Sequence, residues 1–367
     1  MNILYLCAII RYERNKKGEF LFFVIKSQQK ITLKNMSVMK GNNNMKEFII
    51  NQNDADQRVD KFILKAFPKL SKSVMYKAIR TKNIKLNGKR CEISTYLSQG
   101  DVLRIFINDE YLGSEKKTKN IKNDFMSASD ISENDIVYED ENIILINKKI
   151  GVVIHSDINI SENTLIDQIK KYLYLKHEYI PENESSFAPS VCNRLDRNTS
   201  GIVIAAKNAH ALREINEKNK SGEISKKYLC LSASAPPKQS DTAYAYHKKD
   251  ASTNTVTISA TPQDGYKQII TKYDVIKKNS SVTLIEIELI TGRTHQIRAH
   301  MAFLGCPIIG DIKYGDKEVN QKHHLKYQAL CAYKLKFNIS ANSESMLSYL
   351  DGKEFKIDDV CFLKKYF

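Results

Sequence analysis

Apolar positions along this chain change period several times, and each change marks an element. Val59, Phe62, Ile63, Ala66 and Phe67 recur at helical spacing and stop at Pro68, predicting an amphipathic helix. Ser71 then reads as an N-cap, with Val74, Met75, Ala78 and Ile79 on the apolar face of a second helix. Ile84-Lys85-Leu86 before Asn87-Gly88 predicts a short strand and a tight turn, and Gly100-Asp101 turns the chain into another strand at 102–106.

The pattern resumes at about residue 135. Ile136-Val137-Tyr138 and residues 143–147 read as strands around an Asp140-Glu141-Asn142 turn, with 151–155 continuing the sheet. Residues 163–176 read as a helix and 177–188 as a polar loop. A strand follows at 202–206, then a helix capped by Asn208 and ending near Asn219, then strands at 226–231 and 269–276. Ile285-Glu286-Ile287-Glu288-Leu289 alternates strictly, as a strand with one face on the core must. So many strands with so few helices between them predict an α+β fold, not a doubly wound parallel one.

Between the two patterned regions, residues 109–134 are polar and aperiodic, predicting a flexible linker. The expected organisation is therefore a small domain at 46–108 and a larger one at 135–367. Residues 1–45 fit neither. An apolar octet, Ile3 to Ile10, lacks a preceding basic residue and a following small-residue cleavage pattern, which argues against a signal peptide. Met45 is expected to begin the working protein, with residues 1–44 an over-long gene model or a dispensable extension.

Composition sharpens this picture in two ways. The formal charge of +15 suggests a polyanionic partner, and its placement says more than its size. From Lys61 to Arg90 there are ten lysines or arginines and no acid. A solvated face normally mixes both signs, so this run is the polyanion signal. Lys72, Lys77, Arg80, Lys82 and Lys85 are the candidate phosphate contacts. The seven cysteines are scattered without a C-x-x-C pair, which argues against a disulfide framework and a zinc site and fits a reducing cytoplasm. No run of about 18 apolar residues is present, so no membrane partner is expected.

The candidate chemistry lies in two polar clusters. Asn193-Arg194-Leu195-Asp196-Arg197-Asn198-Thr199-Ser200-Gly201 places one carboxylate between two arginines at the mouth of an apolar strand. Asp196 is expected to be ionised there, as a nucleophile or an ion-pair partner; an ordinary Asx turn is the alternative. The second cluster is Thr291-Gly292-Arg293-Thr294-His295-Gln296-Ile297-Arg298-Ala299-His300-Met301. Thr294 reads as an N-cap, Ile297, Met301 and Leu304 as the inner face of a helix, and Arg298 as a cation at that face's border. Such a cation wants a carboxylate, and Asp196 is the candidate. The glycine-punctuated loop at 305–315 would brace the site from below.

Two resemblances join these observations. Arg58-Val59-Asp60-Lys61-Phe62, Phe67-Pro68-x-Leu70-Ser71-x-Ser73, Ile79-Arg80, Ile84-x-Leu86-Asn87-Gly88-Lys89 and Gly100-Asp101-Val102 resemble an S-four-type RNA-binding domain. Arg194-Leu195-Asp196-x-x-Thr199-Ser200-Gly201, Lys226-x-Tyr228 and Thr291-Gly292-Arg293-Thr294-His295-Gln296-Ile297-Arg298 stand in the order found in the RluA-type family of pseudouridine synthases. Gly305-x-Pro307-Ile308-x-Gly310-Asp311, Tyr314-Gly315 and Asn147-Lys148 extend that likeness over most of residues 136–335.

The resemblance implies a central, mostly antiparallel sheet flanked by helices, and isomerisation of uridine in RNA to pseudouridine. Neither cofactor nor metal is required by that reaction. It implies Asp196 as nucleophile, Arg298 as its charge partner, and Tyr228 stacking on the uracil or helping to remove the carbon 5 proton. Arg194, Thr199, Ile297 and His295 would bind substrate, Arg194 by filling the space of an extruded base. The partner implied is RNA, above all large-subunit ribosomal RNA or its assembly intermediates, with no obligate protein partner. Two departures stand out: Asn193 where the family usually has His, and Lys149 where it commonly has Pro. The competing reading is a non-catalytic RNA-binding ribosome-assembly factor on the same fold. Glycoside hydrolysis would need a second carboxylate beside Asp196.

Overall fold

The computed structural model describes residues 10–14, 20–24, 45–112, 125–155, 163–340 and 344–367. The chain divides into two compact units, 1–43 and 44–367. In the first, β1 (Ile10–Arg14) and β2 (Phe20–Val24) pair antiparallel, with Ile10 opposite Val24. The rest of the expected extension up to 44 lies outside the described residues.

The second unit begins with a four-stranded antiparallel sheet. β3 (Met45–Ile49), β4 (Ile84–Leu86), β5 (Lys89–Arg90) and β6 (Val102–Phe106) take the order β3-β6-β4-β5. Helices α1 (Val59–Ala66) and α2 (Lys72–Arg80) cover it, because Val59, Phe62, Ile63, Met75 and Ile79 share one core with Ile84, Leu103 and Ile105. Ser71 caps α2 by accepting from the Val74 amide. Asn87 and Gly88 both take positive φ, the conformation that a two-residue hairpin turn demands. Lys72, Lys77, Arg80, Lys82 and Lys85 are all exposed.

Within the span expected as linker, α3 (Asp109–Leu112) is a single turn and residues 113–124 lie outside the described residues. Phe125 and Ala128 are buried, and Phe125 packs on Tyr174 and Tyr179. Packed structure thus starts upstream of residue 135.

The larger region is an eleven-stranded sheet. Its strands are β7 (Ile136–Glu139), β8 (Ile143–Lys148), β9 (Ser190–Val191), β10 (Ser200–Ala206), β11 (Ile224–Ser232), β12 (Ser240–Asp250), β13 (Thr255–Ser259), β14 (Lys267–Lys278), β15 (Thr283–Leu289), β16 (Leu330–Phe337) and β17 (Glu354–Lys356). The main path runs β13-β12-β14-β15-β11-β16-β10-β8-β7, with β9 added to β10 and β17 to β16. Every pairing in it is antiparallel except β10 with β16. Helices α4 (Leu165–Leu175), α5 (Ala209–Ser221), α6 (Gln296–Phe303) and α7 (Lys317–His323) complete the α+β fold. Among the described residues no helix is long and apolar enough to cross a membrane.

β10 explains why the sheet is central. Ile202, Ile204 and Ala206 face the core cluster that α5 covers with Ala211 and Ile215. Val203 and Ala205 face the cluster that α4 and α6 cover with Ile169, Leu173 and Met301. Buried on both sides, the strand reads as an unbroken apolar run. Gly201 starts it at φ 122°, and a Cβ there would lie 2.3 Å from the Ala332 carbonyl oxygen. Gly201→Ala should therefore pry β10 from β16, costing at least about 2 kcal/mol and lowering the melting temperature by several degrees. Unchanged melting would show that the two backbones are not so close.

One expected strand is absent. Residues 151–155 leave the sheet, because the Lys148 ammonium draws the Lys149 and Val152 carbonyls back towards itself at 3.0 Å each. The Val152-Val153-Ile154 run is a turn with buried contacts, not a ladder.

Candidate active site

β10 delivers the Asp196 turn. The Asp196 carbonyl accepts from the Thr199 amide, closing a tight turn that ends where β10 begins. Asn193 pins the turn from the other side: its amide donates to the Ile202 carbonyl and accepts from the Ile204 amide at 2.7 Å. It stands in for a strand pair that needs one fixed donor and one fixed acceptor, and an amide supplies both without titrating. Leu195 points into the core while Arg194 and Arg197 stay exposed. The Asp196 side chain keeps 28 % exposure, so its carboxylate stands at the surface of the fold, not within it.

Helix α6 brings the partner. Arg298 donates from Nη1 to Asp196 Oδ2 at 2.7 Å, the pair expected from the sequence. Its other edge is held by a residue expected only as part of a bracing loop. Nε donates to Asp311 Oδ2 at 2.6 Å and Nη2 to Oδ1 at 2.9 Å. Asp311 is fully buried and also accepts from the Lys313 and Tyr314 amides. The guanidinium is thus locked in a bidentate fork, which leaves Nη1 to donate to Asp196. Burial pushes the Asp311 carboxyl up, but the hydrogen bonds and charge of Arg298 override it and hold it below the ordinary carboxylate value. Burial likewise opposes the charge on Arg298, and Asp311 first, then Asp196, raises its pKa nonetheless.

The start of α6 differs from expectation. The N-cap is His295, not Thr294, and it sits in the left-handed region at φ 51° with no capping side-chain bond. Gln296 does the capping work instead, folding back so that its Oε1 accepts from the Arg293 amide and the Thr291 hydroxyl. Thr294 offers its carbonyl to His247 Nε2 at 2.9 Å. The left-handed turn aims the His295 ring at the carboxylate: Nε2 lies 4.0 Å from Asp196 Oδ2, while Nδ1 is hydrogen-bonded to the Tyr314 hydroxyl at 2.9 Å. Burial lowers the pKa of His295, and Arg298 and Lys313 add to that against Asp196 and Asp311.

Tyr228 comes from β11 and is buried in one apolar cluster with Leu195 and Ile297. Burial, and then the Asp196 charge, raise its pKa strongly. Thr199 is buried as well, and its hydroxyl accepts from Gln328. It braces the turn from beneath and is not presented as a substrate contact. Lys148 was not among the expected site residues. It is almost fully buried and donates to the carbonyls of Lys149, Val152 and Arg197, each at 3.0 Å. Burial pulls its pKa down to about 8 while Asp196 opposes the fall. Three acceptors require all three protons of an ammonium, so it carries its charge at neutral pH beneath the Asp196 turn.

The structure thus gathers the Arg298 guanidinium and the His295 ring around the Asp196 carboxylate, with Tyr228 buried in the apolar cluster that holds Leu195 and Ile297. The comparisons decide the matter. The family model described as RNA pseudouridylate synthase matches residues 142–303. An RNA pseudouridine synthase of Mycoplasma capricolum is 34 % identical over 312 residues, 84 % of this chain and 96 % of the relative. This chain belongs to the RluA-type family of RNA pseudouridine synthases. The ribosomal large subunit pseudouridine synthase C of Rickettsia felis is 32 % identical over 82 % of this chain and 92 % of its own. That of Buchnera aphidicola is 35 % identical over 74 % and 81 %. Among solved structures, human RNA Pseudouridylate Synthase Domain Containing 4 aligns with TM-score 0.48 and 21 % identity, covering 61 % of this chain and 88 % of that one.

The pseudouridine synthase match spans Asp196, Tyr228, His295, Ile297 and Arg298 but ends before Asp311 and Tyr314. The enzyme is therefore an isomerase acting on RNA, and the two residues that hold Arg298 and His295 in place lie beyond its matched core.

Proposed function

We propose that this synthase modifies uridine in large-subunit ribosomal RNA, with Asp196 as the nucleophile acting on a flipped-out nucleotide. The relatives named as ribosomal large subunit enzymes support the target. The observation that carries the chemistry is the 2.7 Å bond from a fork-locked Arg298 to a partly exposed Asp196. Asp196 attacks the anomeric carbon or draws a proton from the sugar; either route needs a carboxylate free to face the ribose. The N-glycosidic bond breaks, the uracil turns over, and carbon 5 joins the sugar. Tyr228 and Ile297 form the apolar bed on which the ring turns, and exposed Arg194 fills the space the base leaves. Extrusion costs a few kcal/mol in lost stacking and pairing, which a stacked guanidinium offsets.

In the same proposal, residues 46–108 are an S-four-type RNA-binding domain feeding RNA to the catalytic domain at 135–367. Lys77, Arg80 and Arg90 line a groove together with Tyr76 and a single acid, Glu92, which puts cations and a stacking surface in one place. Lys77→Glu with Arg80→Glu should weaken RNA binding across sequences and flatten its salt dependence, by about 0.9 in the log–log slope for each phosphate no longer engaged. An unchanged slope would remove this groove from the interface.

The cellular test is gene deletion followed by mapping of pseudouridine in total RNA. Marks in large-subunit RNA should vanish and return with the intact gene. Loss confined to transfer RNA would refute the target.

A further inference from the structure

We propose that Asp54 and Glu184 form a proton-operated latch: while one of the two is protonated, residues 46–108 stay docked on the catalytic domain, and loss of that proton loosens them. The latch rests on the division proposed above, with 46–108 as the RNA-binding part. Latched, the cationic groove is held at a fixed place beside the catalytic domain; unlatched, it is free to engage RNA on its own.

The chain ahead of α1 lies against residues 183–186 and the start of α5. Asn53 reaches both: its amide donates to Glu184 Oε1 at 2.9 Å, and its carbonyl oxygen accepts from the Ala209 amide at 3.0 Å. Asp54 Oδ1 accepts from the Ser186 amide at 3.0 Å and from its hydroxyl at 2.6 Å. Gln57 donates to that hydroxyl in turn, at 2.8 Å. Arg213 of α5 adds longer contacts, to the Ala55 carbonyl at 3.3 Å and to exposed Asp56 at 3.4 Å. These bonds satisfy one oxygen of each inner carboxylate. The other two, Asp54 Oδ2 and Glu184 Oε2, are buried and take no hydrogen bond among the described residues. Asp54 is wholly buried. Two anions in one seam would repel each other and lack donors; a proton on either removes the repulsion and supplies a donor.

Burial lifts both carboxyls, and the Asp54 charge adds to it at Glu184, whose pKa rises to about 7. A carboxyl raised on docking stabilises the docked state fully below its free value of 4.5, and that contribution is lost as pH rises through about 7. Docking should therefore weaken by roughly 30-fold between about pH 5.5 and 8, the proton passing to water. The other charged groups around the pair are Lys65 of α1, which donates to Gln57 Oε1, Arg213 with Asp56, and Tyr179 with Glu182 after α4. The cavity that Glu184 lines also holds His210, the paired Lys176, Lys207, Glu139 and Glu178, and Asp140 with Glu141. Of these residue types only histidine titrates near neutrality, so His210 stays in place in the variants below.

Two amides report the joint directly. Ala209 opens α5, where a backbone N–H has no acceptor inside the helix, so its protection comes from Asn53. The Ser186 amide is held by Asp54 in the same way. Hydrogen exchange at these two amides, read by mass spectrometry on the full-length enzyme and corrected for the intrinsic effect of pH, measures docking. Their protection should fall by roughly 30-fold from about pH 5.5 to 8, while the core amides of β10 stay unchanged. Glu184→Gln and Asp54→Asn each keep the oxygen that crosses the joint and put an N–H group where the proton is needed. Each should hold at pH 8 the protection that the parent has at pH 5.5. A parent whose protection does not change with pH would overturn the latch. So would a pH dependence that survives in both variants, which would belong to His210 or another neighbour. Protection restored to the parent at pH 8 by magnesium ions would make the pair a cation site, and would also overturn it. Exchange is read without RNA, so a failed latch leaves the RNA-binding reading of 46–108 standing. That reading fails separately, through the salt dependence of RNA binding.

Discussion

Asp196→Asn should yield a folded, RNA-binding protein that forms no pseudouridine. The amide keeps the size of the carboxylate, and Arg298 keeps its bidentate fork on Asp311, so the helix and loop around it lose nothing buried. Only the charge and nucleophilicity at the turn are gone. The side chain is partly exposed, so the cost in stability is small, within about 1 kcal/mol. If Asp196 is the nucleophile, as proposed, the cost in rate is large, on the order of 10⁴-fold or more, because an amide cannot replace a carboxylate in that role. Single-turnover assays with thermal melts of the same preparation check both halves. Substantial residual turnover in a well-folded variant would remove Asp196 from the chemistry.

Asp311→Ala should show the opposite profile, with stability and activity falling together. Asp311 is fully buried and shares two short hydrogen bonds with an Arg298 that is itself 7 % exposed. Removing it strands a buried guanidinium, which costs about 3–5 kcal/mol and lowers the melting temperature by roughly 10 °C. Arg298, freed on one edge, can turn its fork onto Asp196 and pull the carboxylate out of line. A second variant separates the two effects. Asp311→Leu with Arg298→Met replaces the ion pair by packed apolar groups, which is often neutral or stabilising. That double variant should regain most of the lost stability and little of the activity. Recovery of both would mean that Arg298 matters only for folding.

Elements with one strong local pattern were legible in the sequence. The alternation of residues 285–289 gave β15, and helical spacing at 59–67 gave α1. The Asp196–Arg298 pair was legible for a related reason: a cation at the border of an apolar helix face restricts where its partner can be. What escaped depends on contacts between distant segments. β12 buries Ala243 and Ala245 with Tyr244 exposed between them, so its buried face is too small to announce itself. Lys148 ends an apolar strand and reads as its solvated tip, until three carbonyls from two loops close over it. Asp311 sits in a Gly-Asp turn, a signal with many uses, and its fork onto Arg298 exists only once α6 has docked. The pull of Lys148 on its neighbours also explains why a Val-Val-Ile run turns instead of extending.

Purified enzyme incubated with unmodified large-subunit ribosomal RNA, followed by carbodiimide mapping of pseudouridine, puts the proposed activity to its most direct trial. The parent protein should install marks at discrete uridines with no added cofactor, and Asp196→Asn should install none. A parent that leaves this RNA unmarked, or a variant that marks it as well as the parent does, would contradict the account.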